Sequence, residues 1–175
     1  MFKIIFAALI VVVAAILIMA AARPDTFRVE RSIRVSAPPE KIFHYVNDFH
    51  QWGVWSPYEK LDPSMKRTYG GAAAGKGAVY EWDGNSKAGQ GRMQIIDSRE
   101  PAQIVIELDF IKPITAHNRA TFSFQPAGSG TQVTWSMDGP SPYIAKLMGL
   151  FFNMDRLIGA EFETGLANLA AVSET

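Results

Sequence analysis

Three histidines, scattered serines and carboxylates, and no cysteine are the groups in this chain that could attack a substrate, move a proton or hold a metal. His44 and His50 stand six apart, off the three- and four-residue spacing that brings two side chains to one helix face. His44 and Asp48 are four apart, close enough for a carboxylate to orient an imidazole, but that is equally the spacing of ordinary surface neighbours. His117 lies in HNRATFSF, in phase with Arg119, Thr121 and Ser123 and opposite Phe122 and Phe124, which points it to solvent. No serine stands in Gly-x-Ser-x-Gly, and GGAAAGKG over residues 70–77 lacks the Lys-Ser/Thr ending of a phosphate loop, so it reads as a flexible hairpin. Glu161 and Glu163 are two apart and cannot share a helix face. These spacings assign no catalytic residue, no metal site and no cofactor. The absence of cysteine removes disulfides, thiolate ligands and cysteine nucleophiles.

An aromatic set remains: Trp52, Trp55, Tyr80, Trp82, Phe122, Trp135 and Phe151, with Met93 on the same side of its strand as its apolar neighbours. Such residues pack a core or line an apolar pocket, and the pocket reading makes all eight candidate ligand contacts. Trp52 and Trp55, in the punctuated stretch QWGVWSP, are the candidates for a portal. Lysine and arginine total 17, as do aspartate and glutamate, and no basic or acidic run is present. Nucleic acid is therefore not an expected partner.

The elements that must position these residues begin with Ile4 to Ala22, nineteen residues without a charge, a proline or a glycine. As a helix they reach about 28 Å, near the hydrocarbon thickness of a bilayer. A cleaved signal usually has a shorter apolar region, so a retained single-pass anchor is expected, although Ala20 to Ala22 also fits a small-residue cleavage site. A short N-terminal tail normally stays cytoplasmic, which places the following domain outside, in the periplasm of a bacterium. The expected division is an anchor over 1–23, a linker over 24–26 and one domain over 27–175, a length that suits a single core.

Within the domain, TFRVERSIRVSA alternates as a half-buried strand, with Arg31 alone on the apolar side. Ser36 or Ala37 should cap a helix whose first turn holds prolines, with Ile42, Phe43, Val46 and Phe49 at helical spacing. From Met65 the chain alternates through strands broken at Asp83-Gly84-Asn85, Glu100-Pro101, Lys112-Pro113 and Gly128-Ser129-Gly130, the signature of an antiparallel meander. Ser141-Pro142 should cap a helical tail carrying an apolar stripe from Ile144 to Leu169, and Asn153 or Asp155 offers a second cap. Trp135 and Phe122 are expected to meet Leu157, Ile158 or Phe162 on that tail.

A sheet with one apolar face needs a cover, and the C-terminal helix alone is long enough. In VSAPPEKIFHYVNDFHQWGVWSP, GKGAVYEWDG, GQGRMQIID, GTQVTWSMDG and FETGLANL, over about residues 27–172, the chain resembles the SRPBCC or START-like superfamily and within it the polyketide cyclase/dehydrase-like group. The resemblance implies an α+β helix-grip fold, about seven antiparallel strands curved around a long C-terminal helix, with two short helices after the first strand. It also implies a cavity for a hydrophobic or amphipathic small molecule. The superfamily holds carriers, enzymes and chaperone cofactors, so fold leaves function open. A non-catalytic binding domain is the first reading. A cyclase or dehydratase using Arg31, Tyr80 or His44 is the second. A protein-interaction module using the apolar run Leu147 to Phe152 is the third.

Overall fold

In the computed structural model, which describes residues 2–175, the chain opens with α1 (Phe2–Ala21), followed by β1 (Thr26–Val35) and α2 (Pro39–Asn47). Two single 3-10 turns, Phe49–Gln51 and Pro57–Lys60, flank the one-turn helix α3 (Trp52–Trp55). Six strands follow: β2 (Lys66–Gly71), β3 (Ala78–Asp83), β4 (Gln90–Arg99), β5 (Gln103–Lys112), β6 (Ala116–Ala127) and β7 (Gly130–Pro140). The chain closes with α4 (Tyr143–Met148) and α5 (Met154–Ser173). The seven strands form one antiparallel sheet in the order β1-β7-β6-β5-β4-β3-β2, gripping α5 on its concave face. The expected meander and helix-grip arrangement are both present. Among the described residues, α1 is the one helix long and apolar enough to cross a membrane.

Register follows the alternation. Tyr80, Met93, Leu108 and Asn118 are cross-strand neighbours, as are Ile104, Phe122, Trp135 and Arg31. The second row puts Arg31 on the core side of the edge strand β1. Its guanidinium turns to α5, where Nε donates to Glu163 at 2.7 Å and Nη2 to Asp155 at 3.0 Å. A charge on the apolar face is thereby tolerated as a clasp between edge strand and helix.

The core is built on stacked aromatics. Trp135 lies 4.0 Å from Phe162 with ring planes 8° apart, and 4.8 Å from Phe122. Of the three partners expected on the helix, Phe162 makes this contact, whereas Leu157 is exposed because it lies on the outward side of the first turn of α5. Gly165 permits the approach: a Cβ there would meet the Trp135 ring at 2.8 Å and Pro57 at 3.0 Å.

Two caps differ from expectation. The N-cap of α2 is Pro38, with no side-chain hydrogen bond, and Pro39 opens the first turn. The backbone N–H of Ser36 donates instead to Glu174 at the end of α5. The N-cap of α4 is likewise a proline, Pro142, while the Ser141 N–H bonds to the Asp25 carbonyl. In both places the fixed φ of proline and its missing N–H replace a capping side chain. Asn153 caps α5 as expected, accepting from the Arg156 N–H.

Candidate functional site

Because a twisted sheet and a straight helix cannot meet along their whole length, an opening remains at one end. Here it is a cavity of about 970 Å³ between the concave face of the sheet, the segment Ser56–Leu61, α4 and the start of α5. Its mouth lies between Arg23 and Pro24, the β5–β6 connection at Ile114 and the α4–α5 segment through Phe152.

Six of the eight sequence candidates stand on the wall: Trp52, Tyr80, Trp82, Met93, Trp135 and Phe151. Two do not. Trp55 and Phe122 are fully buried behind the wall, packed edge to face at 6.0 Å. Trp52 and Trp55 do not form a portal. Their indole N–H groups donate to the Val46 and Tyr45 carbonyls at the end of α2, which draws both rings into the core. The alternating period predicts a strand residue's side well, but α3 is a single turn and gives no such guide. Phe151 is exposed at the rim.

The histidines are outside the cavity. His44 is exposed, and Asp48 is not its partner: that carboxylate accepts from both the N–H and the Nδ1 of His50, at 2.9 Å each. His117 is exposed beside Asp109.

Sequence reasoning missed the polar groups of the wall. Glu59, whose side chain is 8% exposed, accepts from Tyr80 Oη and, at 2.6 Å, from Arg67 Nε. Both carboxylate oxygens are thus engaged. Burial first, then the hydrogen bond and charge of Glu59, push the Tyr80 phenol well above its ordinary range. Burial does the same to Tyr58, helped by Glu161. Both phenols remain protonated near neutrality. At the mouth, buried Lys146 reaches out to Asp25 in the linker.

Three lining residues also carry a polar atom with no partner in the protein. Ser56 Oγ, Asn118 Oδ1 and Trp135 Nε1 are buried and unpaired, and all three residues line the cavity. An unpaired buried polar atom costs roughly 1–3 kcal/mol. None of the three atoms presents surface to the cavity, so they are orphaned within the packing behind its lining. Asn118 was legible, since it shares the phase of Ala120, Phe122 and Phe124 on β6. Ser56 and Glu59 lie in an aperiodic segment and carried no signal. Among the described residues, no group of three or more histidines, aspartates or glutamates could hold a metal.

A family model described as polyketide cyclase / dehydrase and lipid transport matches residues 26–174. No curated protein matches the chain. Solved structures do. A Chromobacterium violaceum protein superimposes with a TM-score of 0.60 at 17% identity, covering 87% of this chain and 99% of its own. A Mycobacterium smegmatis protein gives 0.57 at 18% identity, with 83% and 89% covered. BexL, a di-domain ARO/CYC of the BE-7585A biosynthetic pathway, gives 0.63 at 14% identity, with 90% of this chain and 53% of BexL covered. The chain thus spans about half of that protein, and at these identities the likeness is one of fold.

Proposed function

Since the chain belongs to the polyketide cyclase / dehydrase and lipid transport family, we propose that it binds one amphipathic small molecule in the cavity and holds it without making or breaking a bond. The observation that carries this reading is the cavity itself, about 970 Å³ and lined mostly by apolar and aromatic side chains, Trp82, Met93, Leu108, Phe110 and Ile158 among them. A ligand with an apolar body would bury against this wall, and a hydroxyl or carbonyl group on it would orient on the few polar side chains of the lining, Tyr80 and Glu59 among them. The volume suits a ligand from drug-sized to lipid-sized. Glu59 supports a holding role, because Arg67 and Tyr80 occupy both its oxygens and leave no lone base facing the ligand.

The experiment is native mass spectrometry of the full-length protein released from detergent. A co-purified apolar mass that Leu108→Trp, which fills part of the cavity, diminishes is the expected result. An empty cavity in wild type, with no uptake of an apolar fluorophore, would overturn the reading.

A second reading, cyclisation or dehydration of the bound molecule, draws on the Tyr80–Glu59 pair. It requires that a polyketone incubated with the protein give a cyclised product, of equal mass after ring closure and lighter by one water after dehydration, separated by chromatography, and that Tyr80→Phe abolish its formation.

We read α1 as a retained anchor, with residues 1–23 in or at the membrane, 24–26 as linker, and the domain over 27–175 on the extracytoplasmic side. Length and uninterrupted apolarity support this. The full-length protein should stay with membranes through a carbonate wash, and a mature N-terminus near Arg23 would instead establish a cleaved signal.

A further inference from the structure

We propose that the cavity mouth docks on the bilayer that α1 enters, and that the ligand loads directly from the lipid. The proposal rests on the ligand-binding and anchor readings above and adds the surface through which they meet. Four residues, Ala22–Asp25, separate α1 from β1. Even fully extended they span at most about 15 Å, and Ala22 and Arg23 still bond back to the Ile18 and Ala20 carbonyls, which shortens the reach. Arg23 and Pro24 are themselves part of the cavity mouth.

The helix α4 fixes the orientation. Its Tyr143 hydroxyl donates to the Leu17 carbonyl at 3.0 Å, and Ala20 is fully buried. Leu17 lies four residues before the end of α1, or about 6 Å along its axis. Tyr143 therefore sits at the depth of the headgroup–acyl boundary, where tyrosine is favoured. A neighbouring side of α4 lines the cavity through Ile144 and Met148. One short helix thus separates the span from the opening.

Around that opening, Ile114, Ile144, Phe151, Phe152, Met154 and Leu157 are all exposed. They come from the β5–β6 connection, α4, the α4–α5 connection and the start of α5, so four neighbouring elements present large apolar side chains at one end of the domain. In water such a patch is a liability, whereas against the headgroup–acyl boundary each side chain contributes burial. The opposite end, at the turn Gly128–Gly130 and the end of α5, holds Ser129 and Glu174 instead.

The chain has no cysteine, so single reporters can be placed in the full-length protein. Phe151→Cys, Ile114→Cys and Ser129→Cys, each labelled with an environment-sensitive fluorophore, are reconstituted in phosphatidylcholine–phosphatidylglycerol vesicles with or without brominated lipid. The expected result is blue-shifted emission that brominated lipid quenches at 151 and 114, with Ser129 unshifted and unquenched. Water-like emission at 151 and 114 overturns the proposal, even if the protein binds a fluorophore in detergent. So does a blue shift that is indifferent to brominated lipid and accompanied by disulfide dimers of the unlabelled Phe151→Cys protein, which would assign the patch to a second copy. Membrane contact at 151 and 114 without ligand uptake sustains docking and sinks the ligand reading alone. With a fluorescent phospholipid, Tyr143→Asp combined with Leu157→Asp, both exposed and neither lining the cavity, should slow vesicle-to-cavity transfer by about tenfold, equivalent to about 1.4 kcal/mol of surface affinity. Binding in detergent should be unchanged, and an unaltered transfer rate counts against docking.

Discussion

Trp135 stacks on Phe162 and Phe122 while its indole N–H has no acceptor in the protein. The ring's packing and its orphaned N–H can therefore be separated by substitution. Trp135→Ala should lower unfolding free energy by about 3–5 kcal/mol in urea denaturation, the range for a large buried aromatic. Trp135→Phe keeps most of the stack and removes the unpaired donor, so stability should change little. Ligand affinity should also change little, because the indole N–H presents no surface to the cavity. Trp55→Ala should destabilise as Trp135→Ala does, because Trp55 packs behind the wall and does not line the cavity. The alternation that placed Tyr80, Trp82, Met93 and Trp135 on one face was legible because a strand repeats every two residues. Ser56 and Glu59 were not legible. They follow a one-turn helix, and only the tertiary fold turns them toward the cavity.

Helix α5 shows how an element is held by two different forces. Near its start, Asp155 and Glu163 clasp Arg31 of the edge strand, and in its second half Gly165 lets the helix settle onto Trp135. Gly165→Ala raises helix propensity, yet its Cβ would have to displace a ring and a proline. It should destabilise by about 1–3 kcal/mol, the usual cost of overpacking, against a propensity gain of up to about 1. The Arg31 hydrogen bond holds the Asp155 carboxyl below its ordinary range. A depressed folded-state pKa contributes stability that is present above the ordinary value and lost as pH falls through the depressed one. Acidification below about pH 4 should therefore weaken the protein, and Asp155→Asn should remove part of that dependence in denaturation series measured at several pH values. The sequence announced this helix by its apolar stripe, but not where the stripe ends. Leu157, Met154 and Phe151 satisfy the period while lying outside the core, since periodicity reports a face and not what covers it.

Across the whole molecule, the fold was readable because a seven-stranded sheet with one apolar face admits few ways to be covered. A cavity was expected on the same grounds, but its mouth was not legible, since no local pattern encodes where the sheet and the helix part. The short connection from α1 to β1 has a further consequence for a carrier. With α1 as the anchor proposed above, a domain held within about 15 Å of it would not diffuse away with its cargo and would not ferry molecules between separate membranes. Its exchange would be with one leaflet, and occupancy would follow the mole fraction of ligand in that leaflet rather than the ligand's total concentration. Diluting loaded vesicles with buffer should leave the cavity as full as before, whereas adding unloaded lipid to the same bilayer should empty it.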